Sequence, residues 1–190
     1  MKHGDTTEKE LASETVFQGK LLRVKRDTVG LPDGKVATRE YVEHNGAVMI
    51  IPVLDSGELV MERQYRYVMH RDCLEFPAGK IDPGEEPLAT GKRELLEETG
   101  YVAREWTYLA TIHPTVAYST ERILVYLARG LLHQGSNPDD GEFLEVCNLS
   151  IEALLESVRS GEITDVKTVI GVFWLEKLLR GEWLAAPASP

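Results

Sequence analysis

Apolar residues fall along most of this chain in short, strand-length runs, and helical spacing enters only at two places. Residues 1–13 are mostly polar and predict a mobile tail. From Thr15 to about His44, Val16, Leu21, Leu22, Val24, Val29, Val36 and Tyr41 supply β-formers, and Leu31-Pro32-Asp33-Gly34 supplies a turn. Residues 14–45 are therefore expected to form a small antiparallel sheet of two or three strands. Ala47 to Leu54 (AVMIIPVL) is an unbroken apolar run, as expected of a strand buried on both faces. Pro52 within it cannot donate to a ladder, which predicts a bulge or an unpaired edge at that point. Asp55-Ser56-Gly57 turns the chain into a second strand from Glu58 to Tyr65. Three more strands are expected at Trp106 to His113, Glu121 to Ala128 and Glu145 to Leu149.

Helical spacing appears first between Pro87 and Gly100. Proline suits the first helical position, where its missing N–H has no partner to lose, and glycine suits the left-handed residue that closes a helix. Leu88, Leu95 and Leu96 fall on one face of that helix and are expected to pack inward. At the end of the chain, Ser150 can cap a helix running to about Ser160. Asp165 can cap a longer one, whose Val169, Ile170, Phe173, Leu178 and Leu179 read as a core stripe ended by Gly181. The last residues, AAPASP, read as a frayed tail.

Composition narrows the class without naming it. The chain has 190 residues, 43% hydrophobic and 27% charged, which fits one sizeable globular domain. A formal net charge of −10 argues against non-specific nucleic-acid binding. It leaves a phosphorylated substrate open, because a bound divalent cation can bring the positive charge. No apolar run is long enough to span a membrane, and the N-terminus has no apolar core of a secretory signal. Cys73 and Cys147 show no pairing pattern and are expected to be reduced thiols of a cytoplasmic protein.

The chemistry lies between Gly79 and Tyr101. Glu94, Glu97 and Glu98 fall within about a third of a turn of one another on a 3.6-residue helix. Glu85 and Glu86 stand just upstream. Like charges so close ask for a cation, although a solvated face with an Arg93–Glu97 ion pair would also satisfy the pattern. The spacing of the whole stretch decides between them. Gly79, five residues, Glu85, seven residues, and then Arg93-Glu94-Leu95-Leu96-Glu97-Glu98-Thr99-Gly100 resembles the Nudix box, the signature of the Nudix hydrolases. The one departure is Tyr101, at a packing position where the family has an aliphatic residue.

The resemblance implies an α+β fold, an α/β/α sandwich with a mixed central sheet, over residues 46–185 behind the N-terminal antiparallel β extension. It implies Mg²⁺, with Mn²⁺ as the alternative, held by Glu94, Glu97, Glu98 and the carbonyl of Ala78, which follows the family's Glu75-Phe76-Pro77-Ala78-Gly79 entry. Pro77 and Gly79 would allow that carbonyl an unusual direction. Glu97, Glu98 and Arg93 are implied as catalytic residues, with Arg93 orienting the carboxylates and Glu85 in support. Glu142, in the acidic loop GSNPDDGEFLE, is implied as general base, with Glu145 as the alternative. His113, single and at a strand end, reads as a structural residue.

Residues 14–45 resemble the N-terminal segment of the ADP-ribose pyrophosphatase branch, which implies a homodimer. The same branch implies Arg39 and Arg66 as substrate-binding residues. The expected reaction is hydrolysis of a nucleotide sugar, ADP-ribose giving AMP and ribose 5-phosphate. Thr115-Val116-Ala117 departs from the Ser-Pro-Gly of that branch, while Tyr118, Ser119 and Glu121 remain. Another nucleotide sugar, a dinucleoside compound or a cofactor therefore stays open as substrate. A non-catalytic nucleotide-sensing domain would be expected to have lost box carboxylates, and none is lost here.

Overall fold

The computed structural model describes residues 4–135 and 143–183. The chain forms two units, one running up to Asn45 and taking in Thr115–Glu121, the other built from Gly46–Pro114 and the chain from Arg122 onward.

The first unit is a three-stranded antiparallel sheet in the order β1-β2-β3, with β1 at Lys9–Gln18, β2 at Arg23–Gly30 and β3 at Val36–Glu43. Leu31-Pro32-Asp33-Gly34 makes the turn between the last two. Gly34 N donates to Leu31 O at 2.9 Å, and Gly34 takes φ 84°, which favours glycine. β1 begins at Lys9, inside the segment expected to be a tail. Its ladder with β2 needs only backbone groups, so a polar sequence does not prevent it. Thr115–Glu121 joins this unit through Val42 N to Tyr118 O (2.9 Å) and Thr120 N to Val42 O (3.0 Å).

The second unit contains β4 (Ala47–Pro52), β5 (Leu59–Arg66), β6 (Arg71–Glu75), β7 (Ala78–Lys80), β8 (Tyr101–Ile112), β9 (Ile123–His133) and β10 (Leu144–Leu149). Its helices are α1 (Pro87–Thr99), α2 (Ile151–Ser160) and α3 (Val166–Leu179). One sheet is mixed, in the order β7-β4-β9-β8, with β4 and β9 parallel and the other pairs antiparallel. The other, β10-β5-β6, is antiparallel. Among the described residues no helix is long and apolar enough to cross a membrane.

β4 separates two cores. Val48 and Ile50 point into a cluster with Leu95 of α1 and Leu124 and Tyr126 of β9. Met49 and Ile51 point the other way, into a cluster with Leu59, Met61, Phe76, Val172 and Leu175. Alternation at period two explains why every residue of β4 is apolar. Ile50 N donates to Pro77 O at 2.9 Å, so Pro52, two residues on, turns its donorless nitrogen the same way, past the end of β7. No bulge is needed.

Both long helices approach their sheets through glycine. At Gly91 of α1 an added Cβ would meet Val48 Cγ1 at 3.1 Å, and at Gly171 of α3 it would meet Met49 Cε and Phe76 Cε2 at 2.9 Å. The buried face of α3 is Thr168, Gly171, Val172 and Leu175, at i, i+3, i+4 and i+7. Phe173 and Leu179, expected in the core stripe, are exposed. The helix sits too close to Phe76 for large residues at its centre, so small ones mark the packed face.

Candidate active site

α1 positions the carboxylates. Pro87 opens it, and Gly100 closes it at φ 75°, with its N–H donating to Leu96 O at 2.9 Å. Arg93 then draws three glutamates together. Its Nε and Nη2 donate to the two oxygens of Glu85 at 3.1 and 3.0 Å. Its Nη1 donates to Glu94 Oε1 at 2.9 Å and to Glu97 Oε2 at 3.0 Å. One planar guanidinium with five donors makes these four bonds in a single fork, which a lysine with three donors cannot. The hydrogen bonds from Arg93, and then from Thr90, hold the Glu85 carboxyl at about 2. Glu85, with Glu94 and Glu97 beside it, raises Arg93 above the ordinary arginine value against the cost of burial.

Glu98 lies on the inner side of the helix and is buried. Its Oε2 accepts from Ala78 N at 3.1 Å, which ties the box helix to β7. Gly79, next in β7, faces Glu94 so closely that a Cβ there would lie 1.8 Å from Glu94 Oε1. Its φ is not positive. The glycine is required for space rather than for the unusual backbone angle that the sequence suggested.

Behind Glu98 stands a residue that sequence reasoning missed. Glu62 of β5 is 1% exposed, and its carboxyl faces the carboxyl of Glu98 rather than a backbone N–H, hydroxyl or cation. It lies against Glu98, and across the β5–β6 ladder it stands directly opposite Glu75. Burial, then the charge of Glu75, pushes its carboxyl up to about 8, against the pull of Lys167 and Arg66.

Glu75 itself is well paired. Arg66 holds it in a two-pronged fork, Nε to Oε1 at 2.7 Å and Nη2 to Oε2 at 2.9 Å. Lys167 of α3 donates to Glu75 Oε2 as well, and to Asp165 Oδ2 at 2.9 Å. Burial would raise the Glu75 carboxyl, but Arg66 and Lys167 together hold it at about 2. Asp165 caps α3 by accepting from Thr168 N at 3.0 Å. Thr168 Oγ1 in turn accepts from Phe76 N at 3.2 Å, so α3 is fastened to the chain just before Pro77-Ala78.

Of the residues singled out in the sequence, Ala78, Arg93, Glu94, Glu97 and Glu98 come together here. Arg66 points at Glu75. Arg39 belongs to the first unit, on β3, where its Nε donates to Glu8 Oε2 at 2.9 Å. Glu145 lies on β10 opposite Arg63, and His113 is exposed after β8. Glu142 lies outside the described residues. The sequence carried a signal for Asp165, as a helix cap, but none for Lys167.

The donor set suits a hard divalent cation. It consists of carboxylates and a backbone carbonyl, the oxygen ligands that Mg²⁺ takes together with several waters. Among the described residues no three His, Cys, Asp or Glu side chains form a ready-made cage. An open Mg²⁺ site that keeps its waters does not require one. The buried carboxyl of Glu62 facing that of Glu98, and the cradle that Gly79 leaves for Glu94, crowd carboxylates as a site for a cation would.

Comparison with known proteins bears on the family. The NUDIX domain family matches residues 43–167, and the nucleoside diphosphate sugar hydrolase N-terminal domain matches residues 8–42. An ADP-ribose pyrophosphatase of Bacillus subtilis (strain 168) is 39% identical over 89% of this chain and 92% of its own length. A methanol dehydrogenase activator of Bacillus methanolicus is 35% identical over the same shares. In fold, the crystal structure of an ADP compounds hydrolase superposes with a TM-score of 0.84 at 24% identity, covering 95% of this chain and 98% of the other. With the box residues gathered on α1 and a domain match running from Glu43 to Lys167, the chain belongs to the Nudix hydrolase family.

Proposed function

We propose that this enzyme hydrolyses ADP-ribose to AMP and ribose 5-phosphate, and that it needs Mg²⁺, with Mn²⁺ able to replace it. The observation that carries the reading is the gathering of Glu85, Glu94 and Glu97 on Arg93, with Glu98 buried beside them and bonded to Ala78 N. The B. subtilis relative, named an ADP-ribose pyrophosphatase, supports the choice of substrate.

A diphosphate resists attack because it is already anionic and its leaving group is poor. Bound Mg²⁺ supplies neutralisation of the phosphate oxygens and acidification of water. Glu94, Glu98 and the Ala78 carbonyl are the residues that would hold it, with Glu97 sharing it or its water shell. Arg93 positions these carboxylates, a supporting role on which such sites depend strongly. Arg66 takes phosphate oxygens in the same two-pronged manner in which it now holds Glu75. Glu142 takes the proton of the attacking water.

A second reading, with another nucleotide sugar, a dinucleoside compound or a cofactor as substrate, is favoured by Thr115-Val116-Ala117, where the chain departs from the pyrophosphatase branch. A panel of nucleotide sugars, dinucleoside compounds and nucleotide cofactors, assayed for phosphatase-sensitive product with Mg²⁺ and with chelator, tests both. Fastest release from ADP-ribose, abolished by chelator, is expected. Release from no member of the panel with Mg²⁺ present would overturn the reading.

We propose further that the enzyme is a homodimer joined through its N-terminal sheet. All ten residues of β1 are exposed, Leu11, Val16 and Phe17 among them, and an open edge strand carrying exposed apolar side chains invites pairing. Light scattering after size exclusion distinguishes a dimer from a monomer.

A further inference from the structure

Glu75 is bonded by two cations, one of which it shares with Asp165. Arg66 occupies both of its oxygens, and Lys167 adds a bond to Oε2. The two cations differ in freedom. The Arg66 side chain is 38% exposed, while that of Lys167 is 12% exposed and is held from a second side by Asp165. Asp165 is itself fixed as the cap of α3. The solvent-facing cation can leave; the buried one cannot.

A buried carboxylate stripped of its only cation is left as an uncompensated charge. With Glu62 opposite it and 1% exposed, Glu75 stands in surroundings that make such a loss costly. Lys167 lessens that difficulty, because Glu75 keeps a partner whether Arg66 stays or goes. The planar fork of arginine fits phosphate as well as carboxylate, so the donors now engaged by Glu75 can turn to a diphosphate without redesign.

We propose that Lys167 is a positioning residue for substrate binding: it is the resident counter-ion of Glu75 that allows Arg66 to exchange this carboxylate for a substrate phosphate. The proposal rests on the reading of Arg66 as a substrate holder. Lys167 does not touch the substrate; it lowers the cost of the exchange. Its effect is therefore on affinity, and it exists only while Arg66 is present.

The test is a double-substitution cycle on the full chain with Arg66→Ala, Lys167→Met and both together, with Lys167→Arg as the rescue. Affinity is read twice, as KM with Mg²⁺ and as equilibrium binding of ADP-ribose by calorimetry with chelator. Lys167→Met is expected to weaken both by about fivefold or more, the lower end of couplings between sites, with kcat changed less. Lys167→Arg restores them, and Lys167→Met adds nothing once Arg66 is alanine. Where Lys167→Met does not fold, Lys167→Gln takes its place. A folded Lys167 variant of wild-type affinity, or one weakened equally with and without Arg66, overturns the proposal. Arg66→Ala with unchanged affinity overturns it through its premise. The expected binding pattern without any turnover supports the exchange and overturns the hydrolase reading instead.

Discussion

Gly79 and Glu94 are in contact across the gap between β7 and α1, and the gap is only as wide as a hydrogen atom allows. A Cβ at position 79 would lie 1.8 Å from Glu94 Oε1 and 1.9 Å from its Cδ. Gly79→Ala must therefore displace the Glu94 carboxylate, and with it one proposed ligand of the cation. A misplacement of this size is expected to cost about a hundredfold in turnover while the protein stays folded. Steady-state kinetics beside circular dichroism checks it; near-normal turnover would mean that Glu94 does not hold the cation.

Glu98 is buried and accepts from Ala78 N, so its neutral isostere keeps the shape of the site but not its charge. Glu98→Gln is expected to lose most of its metal-dependent turnover with little change in melting temperature. A variant that keeps near-normal turnover would remove Glu98 from the mechanism.

Arg93 serves three carboxylates in a geometry that only a guanidinium supplies. Arg93→Lys preserves the charge and loses the fork. About a 10- to 100-fold loss in Mg²⁺ affinity is expected, as for other groups that orient ligands. Displacement of bound Mn²⁺, followed by its resonance signal, measures this without reference to turnover.

The pairing of Glu75 with Arg66 and Lys167 sets a pH dependence of known sign. Its carboxyl is held at about 2, below the ordinary 4.5. A depressed value stabilises the fold above the unfolded value, and that contribution disappears as pH falls from about 4.5 through 2. By linkage the contribution at neutral pH is about 3 kcal/mol at most. Urea unfolding of the wild type and Glu75→Gln should show a wide gap at pH 7 that narrows steadily below pH 4.5. A gap independent of pH would refute the pairing.

Gly171 gives α3 its close approach to Met49 and Phe76. Gly171→Ala is expected to destabilise by about 1–3 kcal/mol through overpacking. Calorimetry checks this, and a rise in melting temperature would show that the core has room to yield.

The sequence made some of this legible because the signals were local. Pro87 and Gly100 bound α1, and the spacing from Gly79 to Gly100 located the carboxylates that Arg93 gathers. What it hid depends on tertiary cover. Glu62 follows Leu59, Val60 and Met61 in a strand buried on both sides, where period-two alternation cannot say which way a charge points. Lys167 looks like any polar residue near the start of a helix until Glu75 is seen beneath it. Phe173 and Leu179 read as core by their size, yet the small residues Gly171 and Thr168 mark the packed face. β1 was hidden because its pairing is carried by the backbone.

The parallel pairing of β4 with β9 has a consequence for the order in which this protein takes shape. Ala47 pairs with Ile123 and Pro52 with Ala128, so the whole of α1 and β8 lies in the connection between them. Parallel partners cannot be joined by a tight turn, and contacts so distant along the chain are slow to form. A nascent chain that has emerged as far as Tyr101 already carries every residue of the box. It lacks the strand against which β4 must close, and the central sheet has to wait for β9. During synthesis the motif is thus complete well before the site is, and a chain truncated after β8 would carry the signature without the chemistry.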